Sequence, residues 1–198
     1  QFGHYSNRYG ASNYNLYNPG ARRGLVWDVR GQDATSNADG GWNTNLFAID
    51  HTKKYRFSVW IRRPVTGNGY TYLGVNGFNS SSSNVGVLRR SNGTNNTNPY
   101  FYYSTAIFGN SAYENEWLLV VGHVWPSGSG TGSIDSDSGI YDITGRKIAN
   151  TADFVWNTTN TQARHRSYLY YSTDTDTQQQ FWHPRVDNVT DAGAPSLD

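Results

Sequence analysis

Aromatic side chains are the feature of this sequence with the clearest chemical potential. The chain has 198 residues, including 15 Tyr, 8 Phe and 7 Trp, and several of these alternate with apolar residues in short runs. Sugar rings present C–H faces that stack on rigid aromatic rings, while Arg, Asn and His side chains can bond the sugar hydroxyls. The residues that we predict to bind a ligand are Trp60, Arg62, Tyr70, Tyr72, Asn76, His123, Trp125, Arg166, Tyr170, His183 and Arg185.

Each member of this set also has a structural interpretation. Both faces of a strand can be buried beneath loops, so any single tryptophan could pack in the interior instead. His123 and His183 could equally be strand residues whose ring nitrogens are satisfied by neighbours. The prediction therefore depends on the aromatic residues as a group.

An Asp-rich loop provides the one candidate metal site in the sequence. Asp135 and Asp137 alternate with serine before Gly139, and Asp142 follows. Carboxylates converging around a glycine turn are typical of calcium loops, although the bidentate glutamate that usually ends such a loop is missing. We predict these three aspartates as ligands of a structural calcium ion, with a solvated loop as the alternative.

The sequence offers no arrangement of residues that is typical of an enzyme. Glu114 and Glu116 are the only glutamates and lie together, unlike the carboxylates that face each other across a glycosidase cleft. The five histidines are dispersed without metal-site spacing. Nucleophile-elbow, phosphate-loop and dinucleotide fingerprints do not occur. We therefore expect a domain that is not an enzyme and needs no cofactor beyond the calcium ion.

Composition limits the partners and favours an exposed setting. A net charge of +1 provides no long-range attraction for nucleic acid, and no run is apolar enough for membrane insertion. Cysteine is absent, and Asn, Ser, Thr and Gly dominate the polar residues. We expect an extracellular, cell-surface or virion protein. Because methionine is absent even at position 1, we also expect a fragment or cleaved product of a larger fibre or surface protein.

Period-two alternation predicts strands throughout most of the chain. The clearest is residues 54–63 (KYRFSVWIRR), in which Pro64 should end the strand and Trp60 should face away from the core. The residues predicted to point inward are Tyr55, Phe57, Val59 and Ile61. The TGNG sequence that follows favours a hairpin with a strand beginning at Tyr70.

Many short strands separated by turn signals predict one all-β domain. The hydrophobic run 116–125 is typical of a central strand, and Pro184 indicates an edge strand or a bulge in the final run. Residues 1–23 show no clear period and are interpreted as an irregular N-terminal arm. We predict a single β-sandwich over residues 24–198, in the form of a jelly roll with little helix.

Several segments also resemble a known class of β-sandwich. They are YRFSVWIRRP, GNGYTYLGVNG, HRSYLYYSTDT, FWHPRVDNV and APSLD. Together they look like the galactose-binding-like jelly rolls of phage tail-fibre-like and bacterial surface proteins, akin to the family-4 and family-22 carbohydrate-binding modules. The final-strand element of those modules would be Val186, Asp187, Asn188 and Val189. The resemblance covers most of residues 24–197 and implies the fold, but such modules vary their sugar-binding residues too widely for a site to be transferred.

Three functions remain open from the sequence. The first is a non-catalytic module that binds a polysaccharide or glycoconjugate, or recognises a host surface. The second is a structural subunit of a fibre, shell or filament, whose aromatic residues are buried against copies of itself or other fibre subunits. The third is a polysaccharide lyase or hydrolase on the same scaffold, with Tyr, His and Arg residues in a groove.

Overall fold

The computed structural model describes residues 5–9, 12–16, 24–31 and 38–190 of the chain. Within these ranges the fold is all-β, and its helical structure is limited to one 3₁₀ turn, Ser111–Tyr113. The strands form two sheets that pack face to face, which confirms the predicted β-sandwich.

The smaller sheet, sheet A, has six strands in the order β1-β4-β15-β7-β10, with β5 paired to β15. Its strands are β1 (Tyr5–Tyr9), β4 (Ala38–Thr44), β5 (Phe47–Ala48), β7 (Tyr70–Phe78), β10 (Tyr100–Ser104) and β15 (Gln162–Tyr170). All of their pairings are antiparallel.

The larger sheet, sheet B, has ten strands in the order β2-β3-β16-β6-β11-β14-β8-β9, with β12 and β13 attached beside β11. Its strands are β2 (Ser12–Leu16), β3 (Gly24–Arg30), β6 (Tyr55–Val65), β8 (Val87–Arg89), β9 (Asn95–Asn96), β11 (Leu118–Trp125), β12 (Gly139–Tyr141), β13 (Lys147–Asn150), β14 (Phe154–Val155) and β16 (Gln178–Asn188). The parallel pairing of β11 with β14 makes this sheet mixed.

The core lies between the two sheets and follows the predicted alternation. Phe57, Val59 and Ile61 are fully buried, as are Leu73 and Leu169 of sheet A. Aromatic rings fill the space between the layers, and their contacts are mostly edge-to-face. The inward orientation of alternate β6 residues is thereby confirmed, and Trp60 lies on the outer side of sheet B.

Gly122 shows why the central strand β11 contains a glycine. A β-carbon at this position would lie 2.3 Å from the ring of Phe101, which belongs to the opposite sheet. Phe101 in turn packs on Phe57, with ring centroids 5.6 Å apart. The absence of a side chain at Gly122 therefore lets the Phe101 ring pack directly against the backbone of β11.

The structure corrects three details of the predicted topology. Strands β6 and β7 do not form a hairpin, because β7 pairs with β10 and β15 in the other sheet. Strand β6 continues through Pro64 to Val65. Strand β16 is central rather than at an edge, and Pro184 lies in a bulge between Trp182 and Arg185, so the bulge alternative is the one observed.

The predicted irregular arm contains regular structure where it is described. Residues 5–9 pair with β4, and residues 12–16 pair with β3. The other residues of segment 1–23 lie outside the described part of the chain. Within the described residues no helix is both long and apolar enough to span a bilayer.

Candidate functional site

The outer face of sheet A carries a groove lined mainly by tyrosine, which we call the tyrosine groove. Its volume is about 420 Å³. Its lining residues are Ala38, Asn43, Tyr72, Asn98, Tyr100, Tyr168, Tyr170 and Tyr171. Tyr70 and Tyr103 flank it, with exposed fractions of 39% and 54%. A ligand can therefore reach aromatic surface both inside the groove and at its rim.

Strand alternation places most of these rings on one face. Tyr168 and Tyr170 are two residues apart on β15, and they pair with Tyr72 and Tyr70 of β7. Their apolar neighbours Leu169 and Leu73 point the other way, into the core. The YTYL and SYLY segments therefore each direct a leucine into the core and their tyrosines to the outer face of the sheet.

A bulge adds the rings of β10 to the same face. Tyr100 pairs with Gly74 and Tyr103 pairs with Tyr72, although the two tyrosines are three positions apart and their partners are two. The register shift between Tyr100 and Tyr102 accounts for this odd spacing, since strict alternation would put them on opposite faces. Without the bulge, one of the two would point into the sandwich.

Two glycines make room for rings that lie across neighbouring strands. A β-carbon at Gly41, whose φ is +148°, would lie 2.7 Å from the Tyr168 ring. A β-carbon at Gly74 would lie 2.6 Å from the Tyr100 ring. These two rings consequently lie down on the sheet and form part of the groove floor instead of extending into solvent.

Tyr72 is in ring contact with tyrosines on three sides. The ring of Tyr103 stacks on it at 6.2 Å between centroids and an interplanar angle of 22°. Tyr100 meets it edge-on at 4.7 Å, and Tyr170 at 6.0 Å. Because each ring is supported by its neighbours, the surface loses little conformational entropy when a ligand binds.

The phenol groups of the groove are neutral hydrogen-bonding groups at ordinary pH. Burial, reinforced by the neighbouring tyrosines, raises the pKa of Tyr72 to about 12. Burial also raises the pKa of Tyr168 to about 12, and it raises that of Tyr100. The Tyr168 hydroxyl donates to Asn43 Oδ1, which fixes that amide at the groove wall.

The outer face of sheet B carries a separate aromatic group. The rings of Trp60 and Trp117 lie 6.4 Å and 6.3 Å from that of Trp182. Arg62 lies over Trp117 at 5.1 Å and donates two hydrogen bonds to Gln180 Oε1. This group, the tryptophan face, lies on the far side of the sandwich from the tyrosine groove.

Two other predicted binding residues lie on β16 beyond the tryptophan face. His183 is exposed and has a φ of +51°, which the bulge at Pro184 accommodates. Its ring lies 5.4 Å from that of Trp182. Arg185 donates a hydrogen bond to Asp187 Oδ1 at 3.3 Å.

His123 and Trp125, also predicted to bind, belong to a hydrogen-bond network around Asp153 at one end of β11. Asp153 accepts hydrogen bonds from Trp125 Nε1, the Asp135 amide, the Ser138 hydroxyl and the His123 amide. His123 is 2% exposed, its Nδ1 bonds Ser138, and burial lowers its pKa.

Trp125 is covered by two cations. Lys54 Nζ lies 3.9 Å from the ring centroid, and Arg90 Cζ lies 4.4 Å from it. The network and these cation–π contacts give both His123 and Trp125 a structural role.

The three carboxylates predicted to bind calcium accept hydrogen bonds from protein groups, and the bond to Asp137, from Ser136 at 3.3 Å, is the longest of them. Asp142 accepts from Thr144 and Arg146, and these bonds lower its pKa to about 2. Asp135 pairs with Lys54 and accepts the backbone amide of Asp137, so it closes its own turn. Among the described residues, no group of three acidic or histidine side chains is arranged to hold a metal ion. Calcium binding stays a prediction without a ligand cluster to support it.

The predicted binding residues therefore divide among three places. Tyr70, Tyr72, Asn76, Arg166 and Tyr170 share the face of sheet A. Trp60, Arg62, His183 and Arg185 lie on sheet B, and His123 and Trp125 lie in the Asp153 network. The structure adds four tyrosines in or beside the groove that were not predicted from the sequence: Tyr100, Tyr103, Tyr168 and Tyr171. The alternation of Tyr168 with Tyr170 was a usable signal, whereas the bulge that admits Tyr100 and Tyr103 was not.

Comparison with known proteins adds little to the structure. No protein-family model matches the chain, and neither does any curated protein. The chain is similar to a solved structure described as an exo-beta-agarase, with a TM-score of 0.46 and 10% identity. The match covers 98% of this chain and 24% of that one, so the chain spans about a quarter of that protein's length. The tyrosine groove is therefore the observation that bears on function.

Proposed function

We propose that this domain binds a glycan in the tyrosine groove, without catalysing a reaction. The observation that carries the proposal is the cluster of tyrosines on one sheet face, of which Tyr70, Tyr103 and Tyr171 are more than a third exposed. A continuous aromatic surface of this kind is costly to leave in water unless it meets a partner.

A sugar fits this surface better than a purely apolar partner does. The rings offer flat faces for sugar C–H groups, and the phenol hydroxyls and the amides of Asn43 and Asn98 offer hydrogen bonds to sugar hydroxyls. Such a combination of stacking surface and neutral polar groups is suited to ligands that are themselves part apolar and part polar.

The composition of the groove also favours binding over hydrolysis. None of its described lining residues is a carboxylic acid, whereas hydrolysis of a glycosidic bond generally needs a pair of them. Weak overall charge and a polar surface rich in Asn, Ser, Thr and Gly favour an extracellular, cell-surface or virion setting for the module.

The test is calorimetry of the whole chain against a panel of polysaccharides, comparing the wild type with Tyr103→Ala and Tyr72→Ala. Losing one stacked ring should weaken binding about tenfold or more, equivalent to ~1.4 kcal/mol. Trp182→Ala, on the tryptophan face, is the matched control and should leave binding unchanged.

Two results would contradict the proposal. One is a wild-type chain that binds no polysaccharide in the panel. The other is sedimentation showing an obligate oligomer in which the groove tyrosines resist quenching of their fluorescence. That second result would support the structural subunit, with the tyrosines buried between copies.

A further inference from the structure

Two arginines lie on the same face of sheet A as the tyrosine groove. Arg164, Arg166, Tyr168 and Tyr170 alternate along β15, so all four side chains leave the sheet on its outer side. Arg166 pairs with Gly74 in the β7 register, directly beside the ring of Tyr100. The outer face of sheet A therefore has an aromatic end, formed by the tyrosine groove, and a cationic end formed by the two arginines.

The positive charges at the cationic end have no carboxylate partner in the described part of the chain. Arg166 donates to the Pro99 carbonyl at 3.2 Å and lies 4.2 Å over the Tyr100 ring. Arg164 lies over Phe78 at 5.3 Å. The Nε atoms of both arginines are buried, and neither has a hydrogen-bond partner among the described residues.

Other arginines of this protein do have acidic partners. Arg56 pairs with Asp187 at 3.0 Å and Arg146 with Asp142 at 3.0 Å. On the outer face of sheet A, the described residues beside the two arginines are uncharged and include Asn43, Asn76, Phe78 and Tyr100. Arg164 and Arg166 therefore carry positive charge on the outer face of sheet A without an acidic partner among the described residues.

Burial increases the effect of this charge. Arg166 is 7% exposed, and arginine keeps its proton at neutral pH even though burial lowers its pKa. A cation in a poorly hydrated site attracts an anion more strongly than one in bulk water does. Arg164 is only partly buried, so its guanidinium can also contact a ligand directly.

We propose that the glycan bound in the tyrosine groove is anionic, and that its carboxylate or sulfate groups lie at Arg164 and Arg166. This inference rests on the proposed function and adds the substrate class. Arg164 contacts the anion through its planar fork of donors, which matches both acid groups. Arg166 contributes its charge and holds the Tyr100 ring in place.

The experiment uses pairs of polymers that differ only in charge. Calorimetry compares polygalacturonate with its carboxyl-reduced form, and carrageenan with its desulfated form, so that the arms separate carboxylate from sulfate. We expect at least tenfold tighter binding of one anionic member over its neutral counterpart, and a loss of that preference between about 50 mM and about 500 mM salt.

Arg164 variants assign the preference to the groove. Arg164→Gln should weaken binding of the anionic polymer about tenfold and flatten its salt dependence, while Arg164→Lys should keep the salt dependence but lose the part of the affinity that depends on the planar fork. Arg146→Gln, which removes an exposed arginine elsewhere, is the control and should change nothing. Thermal unfolding of each variant establishes that it is folded.

The outcomes separate this inference from the function on which it rests. Equal binding of charged and neutral polymers, still lost in Tyr103→Ala, overturns the anionic assignment and leaves glycan binding standing. An anionic preference unchanged in Arg164→Gln overturns the role of the arginines. Binding of none of the polymers overturns both proposals.

Discussion

The ring of Tyr100 lies flat over Gly74 because that glycine has no side chain. A β-carbon at Gly74 would lie 2.6 Å from Tyr100 Cδ1 and 2.6 Å from the Pro99 carbonyl oxygen. Both distances are shorter than a van der Waals contact, so the ring or the β10 backbone must move if the glycine is replaced. The shape of the groove floor therefore depends on a residue that cannot itself bind anything.

Gly74→Ala should accordingly impair glycan binding, although residue 74 does not itself contact the ligand. We expect displacement of Tyr100, weaker binding by about tenfold, and a loss of stability of about 1–3 kcal/mol from overpacking. Calorimetry and urea unfolding measure the two effects. The double variant Gly74→Ala/Tyr100→Ala removes the clash with the ring but not the one with the Pro99 carbonyl, so it should recover only part of the stability and none of the binding. Unchanged binding in the single variant would contradict this account of the groove floor.

The same face shows what the sequence could and could not predict. Tyr70, Tyr72 and Tyr170 were identifiable because alternation places them opposite buried leucines on their own strands. Tyr103 was not, because its orientation depends on a bulge in β10 that the sequence does not signal. The sandwich itself was predictable, since hydrophobic alternation dictates two-faced strands.

The sequence predicts which side chains of a strand point inward better than it predicts which sheet the strand joins. The TGNG turn indicates that the chain reverses after β6, but not whether the next strand joins the same sheet or crosses to the other.

The burial of Arg63 was also difficult to predict from the sequence. Its spacing from Phe57 and Ile61 is that of an inward residue, while its charge argues for solvent, and the structure places it inside at 1% exposure.

Arg63 stabilises the crossing from β6 to β7. Its guanidinium donates to Gln179 Oε1 at 3.1 Å and to the carbonyls of Gly67 and Gly69 at 3.3 Å and 2.6 Å. Arg63→Ala should cost about 3 kcal/mol or more in the free energy of unfolding, since it removes these bonds and leaves a buried cavity. Urea denaturation measures the loss.

The control for Arg63→Ala is the substitution of an exposed arginine that contributes little to stability. Arg146 is exposed and pairs with Asp142 within one turn, so Arg146→Ala should change stability by no more than about 0.5 kcal/mol. Similar losses in the two variants would show that the buried hydrogen bonds of Arg63 contribute nothing measurable.

Asp153 should be the most sensitive residue of the network at the end of β11. Its carboxylate accepts from Trp125 Nε1 at 2.8 Å, from Ser138 Oγ at 2.5 Å and from two backbone amides. Asp153→Asn offers one acceptor oxygen in place of two and places donors against donors. We expect a loss of about 2–4 kcal/mol and a change in Trp125 fluorescence.

Glycan binding provides the complementary measurement for the Asp153 network. Because the Asp153 carboxylate bonds only groups of its own network and is not a lining residue of the tyrosine groove, Asp153→Asn should bind polysaccharide like the wild type at temperatures where it remains folded. If binding fell as sharply as in Tyr103→Ala, Trp125 and His123 would belong to the ligand site after all.

His165 should make the fold sensitive to acid. Its ring is fully buried against Trp42, at 4.8 Å between centroids, and against Phe57, at 5.4 Å. Neither ring nitrogen has a hydrogen-bond partner among the described residues, and burial lowers the pKa of His165 from 6.5 to about 3. The ring is therefore neutral in the folded protein.

The sign of the effect follows from which state binds the proton. Between pH 6.5 and about pH 3 the unfolded chain is protonated at His165 and the folded chain is not, so stability present above pH 6.5 is lost as the pH falls. Each pH unit in that interval removes up to about 1.4 kcal/mol. His165→Phe, which keeps an aromatic ring without the proton site, should lose stability less steeply than the wild type between about pH 6.5 and about pH 5, above the range in which the carboxylates are protonated; its remaining slope there comes from His123, whose pKa burial also lowers. If it loses stability with acid as steeply as the wild type, the acid sensitivity comes from other groups and the buried imidazole is not its source.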